Sequence, residues 1–181
     1  MDKGSIAYRR FLDGDAGGLE QIITDYKDGL ILYLNTLVGN IAIAEDLAED
    51  TFVRLFTRKP RDKGTGSFKT WLYTIGRNIA ISYLRKVGNQ TAVPIDAVDS
   101  VSDGNEPLTA YLKEENRLAL HRAMKRLKPE HRQILWLIYF EELSYKDAAK
   151  VIKKSVHSTE MLASRARQAL KTQLNGLEVT L

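Results

Sequence analysis

Cysteine is absent from this 181-residue chain, which excludes disulfides, thiolate zinc fingers and cysteine nucleophiles. That composition is compatible with a reducing compartment, by default the cytoplasm. Long apolar runs are missing too: none approaches the roughly 20 residues that span a bilayer, and no signal-peptide pattern opens the sequence. Histidine is scarce. His121, His131 and His157 fall in no metal-ligand spacing, and neither a phosphate-binding glycine motif nor a nucleophile motif accompanies them. A catalytic centre, a metal site and a cofactor therefore find no support. No stretch alternates convincingly with period two, so strands are not expected. The four prolines all mark breaks: Pro60 in a loop, Pro94 and Pro107 in an acidic stretch, and Pro129 at a helix start.

What is present is helical periodicity. Residues 17–38 place Leu19, Ile22, Ile23, Tyr26, Leu30, Tyr33, Leu34 and Leu37 three and four apart, with Gly39 or Asn40 as the stop. Residues 41–57 and 68–86 repeat the pattern, and further helices are expected at 108–126 and 129–141. Between them, residues 87–107 carry Gly88, Pro94, Gly104 and Pro107 and read as an interdomain linker. Charge follows the same division. Residues 1–86 carry a net +2, residues 87–107 a net −4 with no Lys or Arg, and residues 108–181 a net +6. Two basic units joined by a tether that DNA would repel suit a nucleic-acid partner. The expected fold is all-α: a helical domain over 1–86, the linker over 87–107, and a second helical domain over 108–181.

The last third of the chain reads as a DNA-binding helix-turn-helix. Ser144 and Asp147 form an S-x-x-D helix start before Ala148, Ala149, Val151 and Ile152, polar residues interrupt at 153–155, and a basic second helix runs from about Ser155 to Leu174. A helical hairpin with a solvated basic face would show the same residues. Two features of the first domain need more than packing. Glu45, Asp46, Glu49 and Asp50 set like charges four apart on one helix, at about 0.2–0.5 kcal/mol per pair. This suits either a helix N-terminus, where the dipole offsets the cost, or a patch that docks on a basic protein surface. Further on, Arg54, Arg58, Lys59, Arg61, Lys63 and Lys69 face one acid, Asp62, around a loop with Gly64 and Gly66. The helix after it aligns Lys69, Tyr73 and Arg77 beside Asn78. Cations interleaved with an aromatic and an amide suit a single strand held by its phosphates, although a solvated loop would look similar. Trp71, four residues before Ile75, suits the core better than a stacking platform.

These residues carry a family resemblance. The run Ala44-Glu45-Asp46-Leu47-Ala48-Glu49-Asp50-Thr51-Phe52-Val53-Arg54-Leu55-Phe56 resembles the polymerase-docking helix of extracytoplasmic-function sigma factors, promoter-specificity subunits of bacterial RNA polymerase. Phe68-Lys69-Thr70-Trp71-Leu72-Tyr73-Thr74-Ile75-Gly76-Arg77-Asn78, continuing to Leu84-Arg85-Lys86, is similar to the helix that opens and reads the −10 element. Leu127-Lys128-Pro129-Glu130-His131-Arg132 and Arg165-Ala166-Arg167-Gln168-Ala169-Leu170-Lys171 resemble the beginning of the −35-binding domain and the end of its recognition helix.

The resemblance implies roles. Core RNA polymerase would meet Glu45, Asp46, Glu49, Asp50 and Arg54. The −10 element would meet Arg58, Lys59, Arg61, Lys63, Lys69, Trp71, Tyr73, Arg77 and Asn78, with the 59–67 loop capturing a flipped base at an unstacking cost of a few kcal/mol. The −35 element would meet Ser155, His157, Ser158, Thr159, Glu160, Ser164 and Arg165. An anti-sigma factor is a further partner the resemblance allows. Three departures stand out: Ser82 where the family has Asp, Lys153 where it has a turn glycine, and Ser158-Thr159-Glu160-Met161-Leu162 in place of Thr-Val-Lys-Ser-Arg. The last removes two cations, so either the −35 sequence differs or the domain binds DNA more weakly. The rival reading is a stand-alone helix-turn-helix regulator, in which the acidic helix and the basic loop would have no job.

Overall fold

Side-chain caps set most helix starts in the computed structural model, which describes residues 2–60, 66–90 and 111–176. All regular elements among them are helical. In the N-terminal unit these are α1 (Lys3–Leu12), α2 (Ala16–Val38), α3 (Ile41–Arg58) and α4 (Phe68–Gln90). Asp2 caps α1 by accepting from the Ser5 amide at 2.8 Å. Its other oxygen accepts from the amide of Phe68 at 2.9 Å, so one carboxylate anchors the start of both α1 and α4. Between α2 and α3 the chain turns within two residues. Gly39 takes the left-handed conformation at φ 66°, which a side chain would resist, and Asn40 caps α3 through the Ile43 amide. The expected spans at 17–38 and 41–57 thus appear within a residue at each end. Helix α4 continues to Gln90, past the boundary expected at 86, so the tether begins in helix. The rest of that stretch lies outside the described residues.

The C-terminal unit comprises α5 (Tyr111–Lys125), α6 (Pro129–Leu135), a π-helical turn (Trp136–Phe140), α7 (Tyr145–Ile152) and α8 (Val156–Asn175). Pro129 opens α6. The single helix expected over 129–141 is therefore two pieces: a wider turn replaces its second half, and Glu142 beyond it is left-handed at φ 54°. Ser144 caps α7 through the Asp147 amide at 3.1 Å and donates to the Asp147 carboxylate at 2.8 Å, forming the expected box. At the helix-turn-helix break, Lys153 is left-handed (φ 58°), so the turn keeps its geometry without the glycine.

The two units do not stand apart. Buried apolar side chains from Ala7 to Ala166 form one continuous cluster. Helices α2 and α4 of the first unit pack on α6, the π turn and α7 of the second.

Candidate nucleic-acid interface

Helix α3 buries Ala44, Leu47, Ala48, Thr51, Phe52 and Leu55 against the core. That leaves Glu45, Asp46, Glu49 and Asp50 on the opposite side, all exposed. They make no ion pair among the described residues. An acid edge is thus presented outward on a well-anchored helix.

Arg54 belongs elsewhere. With Arg58, Pro60, Trp71, Ile75 and Asn78 it lines a cavity of about 350 Å³ between the end of α3 and the side of α4. This is near the lower end of small-ligand pockets. Two arginines, a tryptophan, an isoleucine, a proline and an asparagine contribute its walls, which are mainly apolar. Trp71 is half-buried, held edge-on to Tyr8 at 5.2 Å and Phe68 at 5.7 Å, so it is at once part of the core and part of the wall. The segment leading away from α3 is fixed by the Tyr8 hydroxyl, which donates to the Pro60 carbonyl at 2.8 Å. Lys59 is exposed and left-handed, its ammonium 5.1 Å from the Phe11 ring. Arg61 and Lys63 lie outside the described residues.

The other −10 residues depart from expectation. Tyr73 is buried, only 1% exposed, and stacks on Tyr33 at 5.2 Å, so it offers no free ring to a base. Burial, then the charge and hydrogen bond of Glu141, push its phenol well above the usual tyrosine range. Lys69 is held by the C-terminal unit, its ammonium 2.7 Å from a Glu141 carboxylate oxygen and 2.9 Å from the Glu141 carbonyl. Arg77 donates to Gln133 Oε1 at 2.7 Å, the same oxygen that accepts from the Tyr33 hydroxyl at 2.9 Å. Glu141 and Gln133 were not among the sequence-derived candidates. Their only advance signal is position: Gln133 immediately precedes and Glu141 immediately follows the apolar run 134–140.

On α8, the burial of Leu162, Ala163 and Ala166 turns His157, Ser158, Glu160, Ser164 and Arg165 outward, all exposed. Thr159 must be withdrawn from the DNA contacts: it is fully buried, and its hydroxyl donates to the Ser155 carbonyl at 2.8 Å. Ser155 is exposed, but its hydroxyl serves as the cap of α8 and accepts from the Ser158 amide. Met161, 45% exposed on the outward face between His157 and Arg165, joins the candidates. Arg167 donates to the Tyr145 hydroxyl at 2.9 Å, tying α8 to α7.

Comparison with known proteins fits this geometry. The Sigma-70 region 2 profile matches residues 22–90 and the Sigma-70 region 4 profile matches residues 117–170. The extracytoplasmic-function sigma factor SigW of Bacillus subtilis is 26% identical over 173 residues, covering 91% of this chain and 92% of that protein. SigM of the same organism is 27% identical, covering 87% of this chain and 95% of that protein. Among solved structures, the sigma factor RpoE of Bartonella quintana in complex with the anti-sigma factor NepR superposes with a TM-score of 0.69 at 25% identity, covering 86% of this chain and 96% of that one. CnrH, solved with the cytosolic domain of CnrY, gives 0.68 at 20% identity over 97% and 99%. A stand-alone regulator would not need region 2, and here region 2 precedes region 4. The chain therefore belongs to the extracytoplasmic-function sigma factors, which direct RNA polymerase to promoters.

Proposed function

We propose that the work is divided among three surfaces of the chain. The acid edge of α3 (Glu45, Asp46, Glu49, Asp50) docks on core RNA polymerase. The cavity lined by Arg54, Arg58, Trp71 and Asn78 takes a base flipped from the opened −10 element, with Lys59, Arg61 and Lys63 on the phosphates beside it. The outward face of α8 reads the −35 duplex through His157, Ser158, Glu160, Met161, Ser164 and Arg165. The first domain is assigned to residues 1–86, the tether to 87–107 and the second domain to 108–181. The protein acts without catalysis of its own, in the cytoplasm, where its polymerase and promoter partners are. An anti-sigma factor, of the kind bound to the Bartonella protein, is a fitting further partner.

The observation that carries the −10 assignment is the cavity between the end of α3 and the side of α4, with Arg54 and Arg58 in its lining. A base leaving the stack costs a few kcal/mol, and a pocket that offers an indole, an amide and two cations returns it. Asn78 supplies the amide. In run-off transcription with core polymerase on promoters varied through the −10 element, Asn78→Ala is expected to change the preferred base. An unchanged preference would remove Asn78 from base reading.

A further inference from the structure

Two sets of residues divide α8. Thr159, Leu162, Ala163 and Ala166 are buried, on a helix that packs against α5, α6 and α7. At about 100° per residue, the direction opposite their mean is shared by His157, Met161, Ser164 and Gln168, all exposed. Met161, 45% exposed, thus stands near the middle of the outward face. A lone exposed apolar side chain is ordinary on most surfaces, and here its position gives it meaning. Nearer the helix start, the Ser155 hydroxyl donates to the Ser158 hydroxyl at 2.8 Å and accepts from the Ser158 amide, which commits both serines to the cap. The imidazole, hydroxyl and amide beside Met161 can all exchange hydrogen bonds, whereas a thioether donates none and accepts only weakly. Base edges in the major groove carry donors and acceptors together with one apolar group, the C5-methyl of thymine. A methionine presented to that groove therefore has a single partner suited to its chemistry. Its unbranched chain and polarisable sulfur let it settle on a methyl without a fixed geometry.

We propose that Met161 is a specificity-determining residue for the −35 element, selecting a thymine through its C5-methyl group. The inference rests on the reading above, in which the outward face of α8 enters the −35 duplex. Deoxyuridine pairs as thymine does and lacks only that methyl, so it removes the partner of Met161 and nothing else. Loss of one buried methyl corresponds to about fourfold in affinity.

The test uses the full chain bound to core polymerase. Binding sites are selected from DNA randomised through the −35 element, and each thymine of the selected element is then replaced singly by deoxyuridine. At one thymine the replacement is expected to weaken binding about fourfold. Met161→Ala should weaken binding to the thymine promoter by a similar factor and should bind the thymine and deoxyuridine promoters equally. Met161→Leu keeps an apolar tip and is expected to keep the difference between them. Met161 is exposed, and alanine and leucine are at least as good helix formers, so both variants are expected to fold as the unaltered chain does. Deoxyuridine felt at no thymine, or felt equally by the unaltered chain and Met161→Ala, overturns the methyl contact. Arg165→Ala then tells which premise failed. A preferred −35 sequence with weaker binding by Arg165→Ala keeps α8 on the duplex, so that only the methyl contact is lost. No preferred sequence, with binding unchanged by Arg165→Ala, removes α8 from the −35 element as well.

Discussion

Single residues decide more here than their number suggests. Lys153 holds the left-handed conformation at the helix-turn-helix break, where a residue with a Cβ is strained by about 1–2 kcal/mol. Lys153→Gly relieves that strain but adds freedom to the unfolded chain, so a net gain of about 1 kcal/mol is expected in denaturant unfolding. A loss would mean that the lysine side chain holds the turn by another contact. Asp2 carries a different kind of leverage. Burial raises its pKa, but the Ser5 and Phe68 amides and the Ser5 hydroxyl outweigh that, leaving it below the usual aspartate value of 3.8. A carboxyl held lower in the folded state stabilises above its unfolded pKa and loses that contribution as pH falls through the folded value. Asp2→Asn is therefore expected to flatten the stability profile below about pH 4 while lowering stability at neutral pH. Coinciding acid-unfolding curves would count against the shared cap. On α8, Glu160 cannot favour a phosphate, but its carboxylate can accept from cytosine N4, a contact near the low end of about 1–3 kcal/mol. Glu160→Lys is expected to change the preferred base opposite it when binding sites are selected from randomised −35 DNA. If the same sequences are selected, Glu160 only favours the helix dipole.

At the scale of elements, α3 is the clearest case of a surface written in sequence order. Its apolar residues recur three and four apart and take the core, so the acids between them have only the outside left. Asp46→Lys with Asp50→Lys should weaken core polymerase binding without loss of helix content, and equal recovery in a pull-down at moderate salt would refute docking through this edge. Helices α2 and α4 were legible for the same reason, since burial of Leu30, Leu34 and Leu37 or of Leu72 and Ala80 imposes a 3.6-residue period, whereas no span was expected for α1. The π turn was not. Trp136, Leu137, Ile138, Tyr139 and Phe140 are apolar at every position, so no period distinguishes a widened turn from an ordinary one. Tyr73 misled for a related reason: its spacing from Lys69 and Arg77 fixes a common face, but what covers that face comes from Tyr33 and Gln133, a hundred residues apart in sequence. Local pattern carries direction on a helix, and only tertiary packing says what lies there. Thr159 shows the reverse error, a polar side chain satisfied inside its own helix by the Ser155 carbonyl.

The molecule as a whole has one apolar core across both units, with polar ties at Lys69–Glu141 and Arg77–Gln133. Such continuity couples their stabilities. Calorimetry is expected to show a single transition whose calorimetric and van't Hoff enthalpies agree, whereas two resolved peaks would mean that each unit melts alone. A geometric consequence follows from the same packing. Elements at −10 and −35 lie more than two helical turns apart on DNA, roughly 70 Å at about 34–36 Å per turn. In the packed chain, the Lys69 and Arg77 side chains of α4 are within 3 Å of the unit that carries α8. On the −10 and −35 assignments proposed above, the molecule so folded does not span a promoter and has no ruler of its own. Discrimination by spacer length becomes possible only when something else holds the two units apart, and the distance measured is then set by that scaffold.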